Sequence, residues 1–198
     1  MTLGAELGPL EKLVGIWEGN EGLDEAFSNT LGKVTETPFR EKTSFSSFGP
    51  VDNGRQVLFG LDYRTAAWRG DEENPFHTEV GYWLWDAADG QVMRCFMVPR
   101  GSTVLAGGPS TADAMTFEMK AEIGSETYGI LSNKFLAEAA RCIRYEVIVT
   151  LGDGTFSYEE TTTIEHGRMD TLLIHTDRNT LHRIDTADLP GEVSVAKD

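Results

Sequence analysis

Residues 75–108 carry the pattern that most constrains the fold of this chain. The stretch PFHTEVGYWLWDAADGQVMRCFMVPRGSTVLAGG holds three runs rich in β-branched and aromatic residues. An Asp-Gly pair at positions 89–90 separates the first two runs, and Pro-Arg-Gly at 99–101 separates the second from the third. Asp-Gly is typical of a tight hairpin turn, and proline next to glycine ends a strand. We therefore predict three consecutive antiparallel strands.

The first of these strands predicts an interior that is not uniformly apolar. Successive side chains of a strand point to opposite faces, so one face carries His77, Glu79, Gly81, Trp83 and Trp85. A face that mixes ionisable and aromatic groups suits the lining of a barrel with a cavity better than a dry core. The sequence therefore favours a hollow barrel at this point.

Strand-like runs with turn signals between them recur along the rest of the chain. We predict further strands at residues 14–19, 39–48, 55–68, 114–123, 141–151, 155–164 and 171–184. Long helical patterns do not alternate with these runs, which argues against a parallel α/β sheet. Regularly spaced short strands indicate an all-β sandwich or barrel.

Three segments depart from the strand pattern. Leucines at positions 3, 7, 10 and 13 predict a short N-terminal helix or helical turn. Residues 20–37 have no apolar period, so we predict a long exposed loop of the kind that forms a lid. Residues 124–140 are ambiguous, with one helical turn expected at 134–140.

Length and composition predict one domain. A chain of 198 residues that is 40% hydrophobic can bury a sizeable core, so we assign residues 1–185 to a barrel domain and 186–198 to a C-terminal tail. The net charge of −15 argues against nucleic acid or an anionic membrane as the main partner. Residues 1–10 lack a signal-peptide pattern and no run is long enough to span a membrane, so the cytoplasm is expected. We expect Cys95 and Cys142 to be buried, reduced thiols.

Gly15-x-Trp17 follows the predicted N-terminal helix, and Arg183 lies near the end of the last predicted strand. Together these three residues resemble the calycin pattern of lipocalins and fatty-acid-binding proteins. The resemblance implies that Trp17 closes one end of the barrel and that Arg183 packs its cation over the indole ring.

A more specific resemblance covers most of the chain. It is carried by Leu10-x-x-Leu13-x-Gly15-x-Trp17-x-Gly19, Tyr63, the stretch PFHTEVGYW at 75–83, PRG at 99–101 and Gly107-Gly108. These motifs are similar to the nitrobindin family, whose barrel is also found as the C-terminal domain of some THAP proteins. The resemblance implies an antiparallel calycin-type barrel of about ten strands.

The same resemblance implies a cofactor and an activity. Nitrobindins bind ferric haem through one histidine near the C-terminal strand, react with nitric oxide and isomerise peroxynitrite to nitrate. His175 is the nearest match to that ligand, so haem b with His175 on the iron is what the resemblance implies. The chain departs from the family pattern in two places. It has GNEGLD at 19–24 where haem-binding members continue toward Tyr-Pro, and the spacing from His175 to Leu181 is about one residue longer than in the family.

Four ionisable residues in the predicted strands are candidates for binding a ligand. His77 and Glu79 would form an acid–base or ligand-binding pair, or a structural pair at the barrel rim. Arg94 would point inward and anchor a ligand carboxylate, or point outward and pair with a surface carboxylate. The same question applies to Arg144, because either it or Tyr145 should face inward.

We therefore expect a single antiparallel barrel that binds a small apolar or amphiphilic ligand with a polar head, such as a fatty acid. The expected ligand-binding residues are His77, Glu79, Trp83, Arg94, Arg144 and His175. The alternative is a haem-binding, nitrobindin-like peroxynitrite isomerase. An enzyme that uses His77 and Glu79 ranks third. An exposed barrel edge or the loop at 20–37 would be the surface for a homodimer.

Overall fold

Eleven strands account for most of the computed structural model, which describes residues 4–184. A 3-10 segment, Ala5–Leu13, precedes the strands, and one α-helix, α1, spans Lys134–Ala139. The strands are β1 Gly15–Ser28, β2 Lys33–Asp52, β3 Val57–Arg69, β4 His77–Asp86, β5 Gln91–Val98, β6 Ser102–Pro109, β7 Thr116–Ile123, β8 Gly129–Ser132, β9 Ala140–Leu151, β10 Thr155–His166 and β11 Leu173–Ile184.

The strands close into a barrel in the order β1-β11-β10-β9-β7-β8-β6-β5-β4-β3-β2. The prediction of a closed all-β barrel is confirmed, but the prediction of ten antiparallel strands is wrong. The additional strand is β8, which pairs antiparallel with β6 and parallel with β7, so the sheet is mixed. A strand of four residues is too short to show an alternating pattern, which explains why residues 124–140 are ambiguous in the sequence.

The predicted loop at residues 20–37 is instead the outer part of a long hairpin. β1 and β2 pair from Gly22 opposite Phe39 to Ser28 opposite Lys33. Two buried positions of this segment hold Gly22 and Asp24, so the sequence lacks the apolar alternation by which strands are recognised. Gly22 is required because a Cβ there would overlap the Phe39 ring. The prediction of a lid is therefore wrong.

The N-terminal 3-10 segment, Ala5–Leu13, closes one end of the barrel, and we call it the plug. Its leucines at positions 7, 10 and 13 are fully buried in the core, which confirms the predicted helical turn. The Trp17 indole N–H donates to the Leu13 carbonyl oxygen at 2.6 Å. Gly15 begins β1 with a φ of 130°, a conformation that favours glycine, and directs the chain from the segment into the strand.

Arg183 joins this closed end to the last strand. Its guanidinium carbon lies 4.6 Å from the centre of the Trp17 ring, and its Nη1 donates to the Val14 carbonyl oxygen at 2.9 Å. Arg183 therefore bridges β11, the plug and the start of β1.

Helix α1 lies where one helical turn was predicted, and the Asn133 side chain caps it by accepting from the Leu136 N–H at 2.9 Å. The predicted tail at 186–198 lies outside the described residues. Between residues 4 and 184, no helix combines the length and apolar character that crossing a membrane requires.

Candidate functional site

The barrel encloses a cavity of about 260 Å³ on the side away from the plug. Alternate residues of the strands point into it, so one strand contributes both apolar and ionisable groups. Much of its wall is aromatic: Phe39, Phe45, Tyr63, Trp83, Phe96, Tyr145, Phe156 and Tyr158. Such a wall suits the apolar part of a small molecule.

Arg94 points inward from β5 and lies at the centre of the polar groups. Its Nη2 donates to Glu79 Oε2 at 2.5 Å and its Nη1 to Glu160 Oε2 at 2.8 Å. Its Nε donates to the Tyr63 hydroxyl at 3.3 Å, and Nη1 also contacts the Tyr145 hydroxyl. Because four of its five N–H groups have protein acceptors and its charge is shared by two protein carboxylates, Arg94 retains little capacity to anchor a ligand carboxylate.

His77 and Glu79 lie on one face of β4, as their spacing predicts. His77 Nε2 is 3.0 Å from Glu79 Oε1, and the Tyr63 hydroxyl donates to Glu79 Oε2 at 2.6 Å. Burial alone would raise the pKa of Glu79, but Arg94 and His77 outweigh it and lower the pKa to about 2. A carboxylate held so firmly in its charged form is a weak general base.

Three inward carboxylates form a row across neighbouring strands, which we call the acidic row: Asp24 on β1, Asp177 on β11 and Glu160 on β10. Asp177 is directly opposite Asp24 on one side and Glu160 on the other. Like charges directly opposite each other on a sheet repel. Burial raises the pKa of Glu160, and Glu79 and Asp177 raise it further against the opposing effect of Arg94. Burial likewise raises the pKa of Asp177, and the Asp24 charge adds to it against His175.

His175 lies beside the acidic row, and both of its contacts are to carboxylates. Its Nε2 is 2.7 Å from Asp24 Oδ1 and 3.1 Å from Asp177 Oδ2. Burial would lower the pKa of His175, but these two carboxylates raise it to about 10. The imidazole is therefore protonated at neutral pH.

This arrangement does not fit an axial haem ligand. Iron binds a neutral imidazole nitrogen that faces an apolar slot. Nε2 of His175 instead carries a proton shared with two carboxylates, and the space beside it is bordered by the acidic row. Haem ligation through this atom would require Asp24 and Asp177 to give up their contacts with it.

Glu41, on β2, is a buried carboxylate without an ion pair among residues 4–184. Four donors surround it at 2.7–3.1 Å: Thr43, Thr65, Tyr158 and Asn179. Hydrogen bonds from neutral groups therefore satisfy its oxygen atoms in place of a cation. The signal in the sequence was the position of Glu41 between Phe39 and Phe45 on one strand face.

Two further candidates have different surroundings. Arg144 points outward and pairs with Glu146 at 3.0 Å, so the prediction that it binds a ligand is wrong; Tyr145 occupies the inward position. Trp83 lines the cavity and is 4% exposed. Its indole N–H has no hydrogen-bond partner in the described part of the chain.

Both cysteines are free thiols, in agreement with the sequence. Both are half-buried rather than fully buried. Cys142 lines the cavity, and burial raises the pKa of its thiol to about 11, so it is protonated and unreactive at neutral pH.

The structure thus brings His77, Glu79, Trp83, Arg94 and His175 to one cavity and leaves Arg144 outside it. Sequence reasoning missed several groups of the same site, namely Asp24, Glu41, Tyr158 and Glu160. Asp24 lies in a segment that was predicted to be a loop. Glu41, Tyr158 and Glu160 lie in predicted strands, but the sequence did not show which face of those strands points inward.

Comparison with known proteins agrees with this architecture. A family model described as "THAP4-like, heme-binding beta-barrel domain" matches residues 6–183. The crystal structure of Rv2717c from M. tuberculosis has a similar fold, with a TM-score of 0.64 and 18% sequence identity. That similarity covers 92% of this chain and 99% of Rv2717c.

Two curated relatives are similar over part of the chain. A peroxynitrite isomerase of Clavibacter michiganensis subsp. michiganensis (strain NCPPB 382) is 39% identical over 83 residues, and that of Clavibacter sepedonicus is 37% identical over 83 residues. The matched region covers 41% of this chain and 36% of each relative, so the chain spans about a third of the relatives' length.

The family resemblance inferred from the sequence motifs is confirmed by the family match over nearly the whole described chain. This chain belongs to the family of THAP4-like, heme-binding β-barrel domains.

Proposed function

We propose that this barrel binds a small, partly apolar molecule in its cavity, with interior polar groups holding the polar part of the ligand. The observation that carries the proposal is the combination of an aromatic wall with a set of buried ionisable side chains. Burying an ion costs several kcal/mol, and apolar residues of similar volume are often as stable or more so. Ionisable groups concentrated in a cavity are typical of a binding site.

In this proposal Arg94 positions other groups rather than touching the ligand. Its contacts with Glu79 and Glu160 hold both carboxylates in place, and its guanidinium lies 4.5 Å from the centre of the Phe96 ring. The ligand would lie between the aromatic wall and these carboxylates. The Trp83 indole N–H offers a donor to an acceptor atom of the ligand.

Native mass spectrometry of protein purified without added ligand tests the proposal. We expect an additional mass that disappears after unfolding and refolding, together with a lower melting temperature of the refolded protein. Cys142→Trp would obstruct the cavity and should abolish the additional mass. Arg144→Trp, on the outward face of the same strand, is the matched control and should retain it. Polypeptide mass alone, with no thermal shift by any amphiphilic probe, would contradict the proposal.

The comparisons favour a second candidate, a haem-binding peroxynitrite isomerase, more directly than they favour a generic ligand. The family is described as haem-binding, and the two curated relatives are named peroxynitrite isomerases. Haem is therefore the cofactor that family membership implies, although His175 as arranged is not a free ligand.

Titration with haemin decides between the two candidates. If the second is correct, a Soret band develops at one equivalent and is lost in His175→Ala, and the loaded protein accelerates peroxynitrite decay. Asp24→Asn should strengthen haem binding, because it removes one carboxylate from the ligand nitrogen. Absence of a saturable Soret shift in both the wild type and Asp24→Asn would eliminate the haem candidate.

A further inference from the structure

We infer that the ligand is an uncharged molecule with a carbonyl oxygen, such as a ketone, an aldehyde or an ester, and that the Trp83 indole N–H donates to this oxygen. This inference rests on the proposed function, because it names the class of molecule that the cavity accepts. It replaces the expectation of a fatty acid, whose head would enter the cavity as an ion.

The first argument is that the charged groups facing the cavity already have partners. Five carboxylates and four basic groups line it: Asp24, Glu41, Glu79, Glu160 and Asp177, with His77, Arg94, Arg100 and His175. Arg94 contacts two of the carboxylates, His175 contacts two others, and His77 shares one with Arg94. Glu41 accepts hydrogen bonds from neutral donors, and Arg100 lies exposed at the rim. An ionic head would therefore be buried without a free partner of opposite charge, which is unfavourable.

The second argument is the indole N–H of Trp83, which points inward from β4, lines the cavity and is 4% exposed. This N–H is the one buried side-chain polar group without a hydrogen-bond partner among residues 4–184. Three rings meet the indole edge to face, those of Phe45, Tyr63 and Phe117, with centres 5.5, 6.1 and 6.4 Å away. The Arg94 guanidinium, 5.4 Å from the ring centre, offers only donors. The described chain therefore offers this N–H aromatic rings, which are weak acceptors, and no oxygen.

A carbonyl oxygen is the group that matches both observations. It accepts a hydrogen bond and carries no charge, whereas an alkylammonium group only donates and a carboxylate adds a charge. An alcohol accepts too, but it brings a donor that needs an acceptor of its own. Water is a poor substitute, because it needs about two to four polar partners and the groups around the indole are mostly aromatic. The same aromatic wall accepts the hydrocarbon part of the ligand.

Three probes with carbon chains of equal length test the inference: octan-2-one, sodium octanoate and octylamine. Each is titrated calorimetrically at pH 7 into protein that has been freed of ligand by unfolding and refolding. The ketone has an acceptor and no charge, octanoate has an acceptor and a charge, and octylamine has a charge and no acceptor. We expect octan-2-one to bind about tenfold more tightly than either ion.

Two measurements test whether the carbonyl group lies at Trp83. In a ¹⁵N–¹H NMR spectrum, the Trp83 indole proton should move downfield when octan-2-one binds, because a carbonyl oxygen deshields a proton that donates to it. The Trp17 indole proton, which already donates to the Leu13 carbonyl oxygen at 2.6 Å, is the internal reference and should stay in place. Trp83→Phe should weaken octan-2-one binding about fivefold. Trp85→Phe, on the same strand face but packed against Gly8 of the plug, is the matched control and should leave the affinity unchanged.

The outcomes separate this inference from the proposed function. Equal binding of all three probes, or tightest binding of either ion, would overturn the inference and leave the proposed function in place. An unmoved Trp83 resonance with octan-2-one bound would also overturn the inference, because the N–H would then face an aromatic ring. This resonance is measured in the wild type, so it decides even if Trp83→Phe fails to fold. Absence of binding by every probe would count against both the inference and the proposed function.

Discussion

Arg94 is the residue on which the polar interior depends. It is 7% exposed, and two carboxylates and two tyrosine hydroxyls accept its hydrogen bonds. Glu79 and Glu160 would repel each other without it. Removing one member of a buried ion network leaves the others unpaired, which is more costly than replacing the whole network by apolar groups.

Arg94→Met should therefore destabilise the fold by about 3–5 kcal/mol, measured by urea unfolding at pH 7. Arg144→Met is the matched control. It removes an outward arginine paired with Glu146 at 3.0 Å, and should change the free energy of unfolding by less than about 1 kcal/mol. Similar losses for the two variants would show that Arg94 is not the centre of the network.

The surroundings of His175 should make the stability of the fold depend on pH. Its pKa in the folded protein is about 10, above its ordinary value of 6.5, because Asp24 and Asp177 hold the proton. Because its pKa is raised on folding, the protonated His175 contributes fully to the free energy of unfolding below pH 6.5. That contribution is lost as the pH rises through 10 and the imidazole loses its proton.

The unfolding free energy should thus fall by a few kcal/mol between pH 6.5 and 10, and His175→Gln should flatten this dependence. His182→Gln, exposed on the same strand, should leave it unchanged. An NMR titration in which the His175 imidazole loses its proton near pH 6.5 would contradict the assignment.

Among the elements, β8 is the least supported part of the barrel wall. It pairs with β6 through three residue pairs and with β7 through two, whereas β6 and β7 pair directly only at Gly107 and Lys120. By contrast, β10 pairs with β9 along nearly its whole length. We call the region where β8 joins β6 and β7 the seam. Because few hydrogen bonds hold the strands together there, the seam should open locally more often than the rest of the barrel.

Hydrogen exchange should reveal this seam. We expect the amides of β8 to exchange at least about tenfold faster than those in the middle of β10, measured by NMR or mass spectrometry. The β2–β3 hairpin, which lies on the far side of the barrel from β8, provides a second reference. Equal protection of β8 and β10 would show that the parallel pairing is stronger than its length suggests.

For the whole molecule, the dominant feature is a net charge of −15. Self-repulsion of like charges destabilises a compact state, and salt screens it over about 8 Å at physiological ionic strength. The melting temperature should rise by several degrees between about 0.01 M and about 0.15 M ionic strength. Two salts compared at equal ionic strength should give the same rise. A fall in melting temperature would mean that attractive ion pairs outweigh the repulsion.

Local sequence patterns are sufficient to establish the fold class of this protein. Alternating runs such as those at 75–108 allow only half-buried strands, and the motifs around Trp17, Tyr63 and His77 identified the family. It also brought His77, Glu79 and Arg94 forward as inward candidates, because charged groups on apolar strand faces are unusual. The local pattern is sufficient for these inferences, because the alternation of apolar and polar residues along one strand is visible in that strand's own sequence.

Which charged groups meet inside the barrel depends on how its strands pair. Asp24 is far from Asp177 in sequence, and the two become neighbours because closing the barrel pairs β1 with β11; Glu160 lies opposite Asp177 through the β10–β11 hairpin. Arg94 likewise takes Glu79 from the adjacent strand β4 and Glu160 from β10 across the barrel, and His175 is held between Asp24 and Asp177. Register across strands sets these contacts, and a local sequence pattern carries no information about register between distant strands.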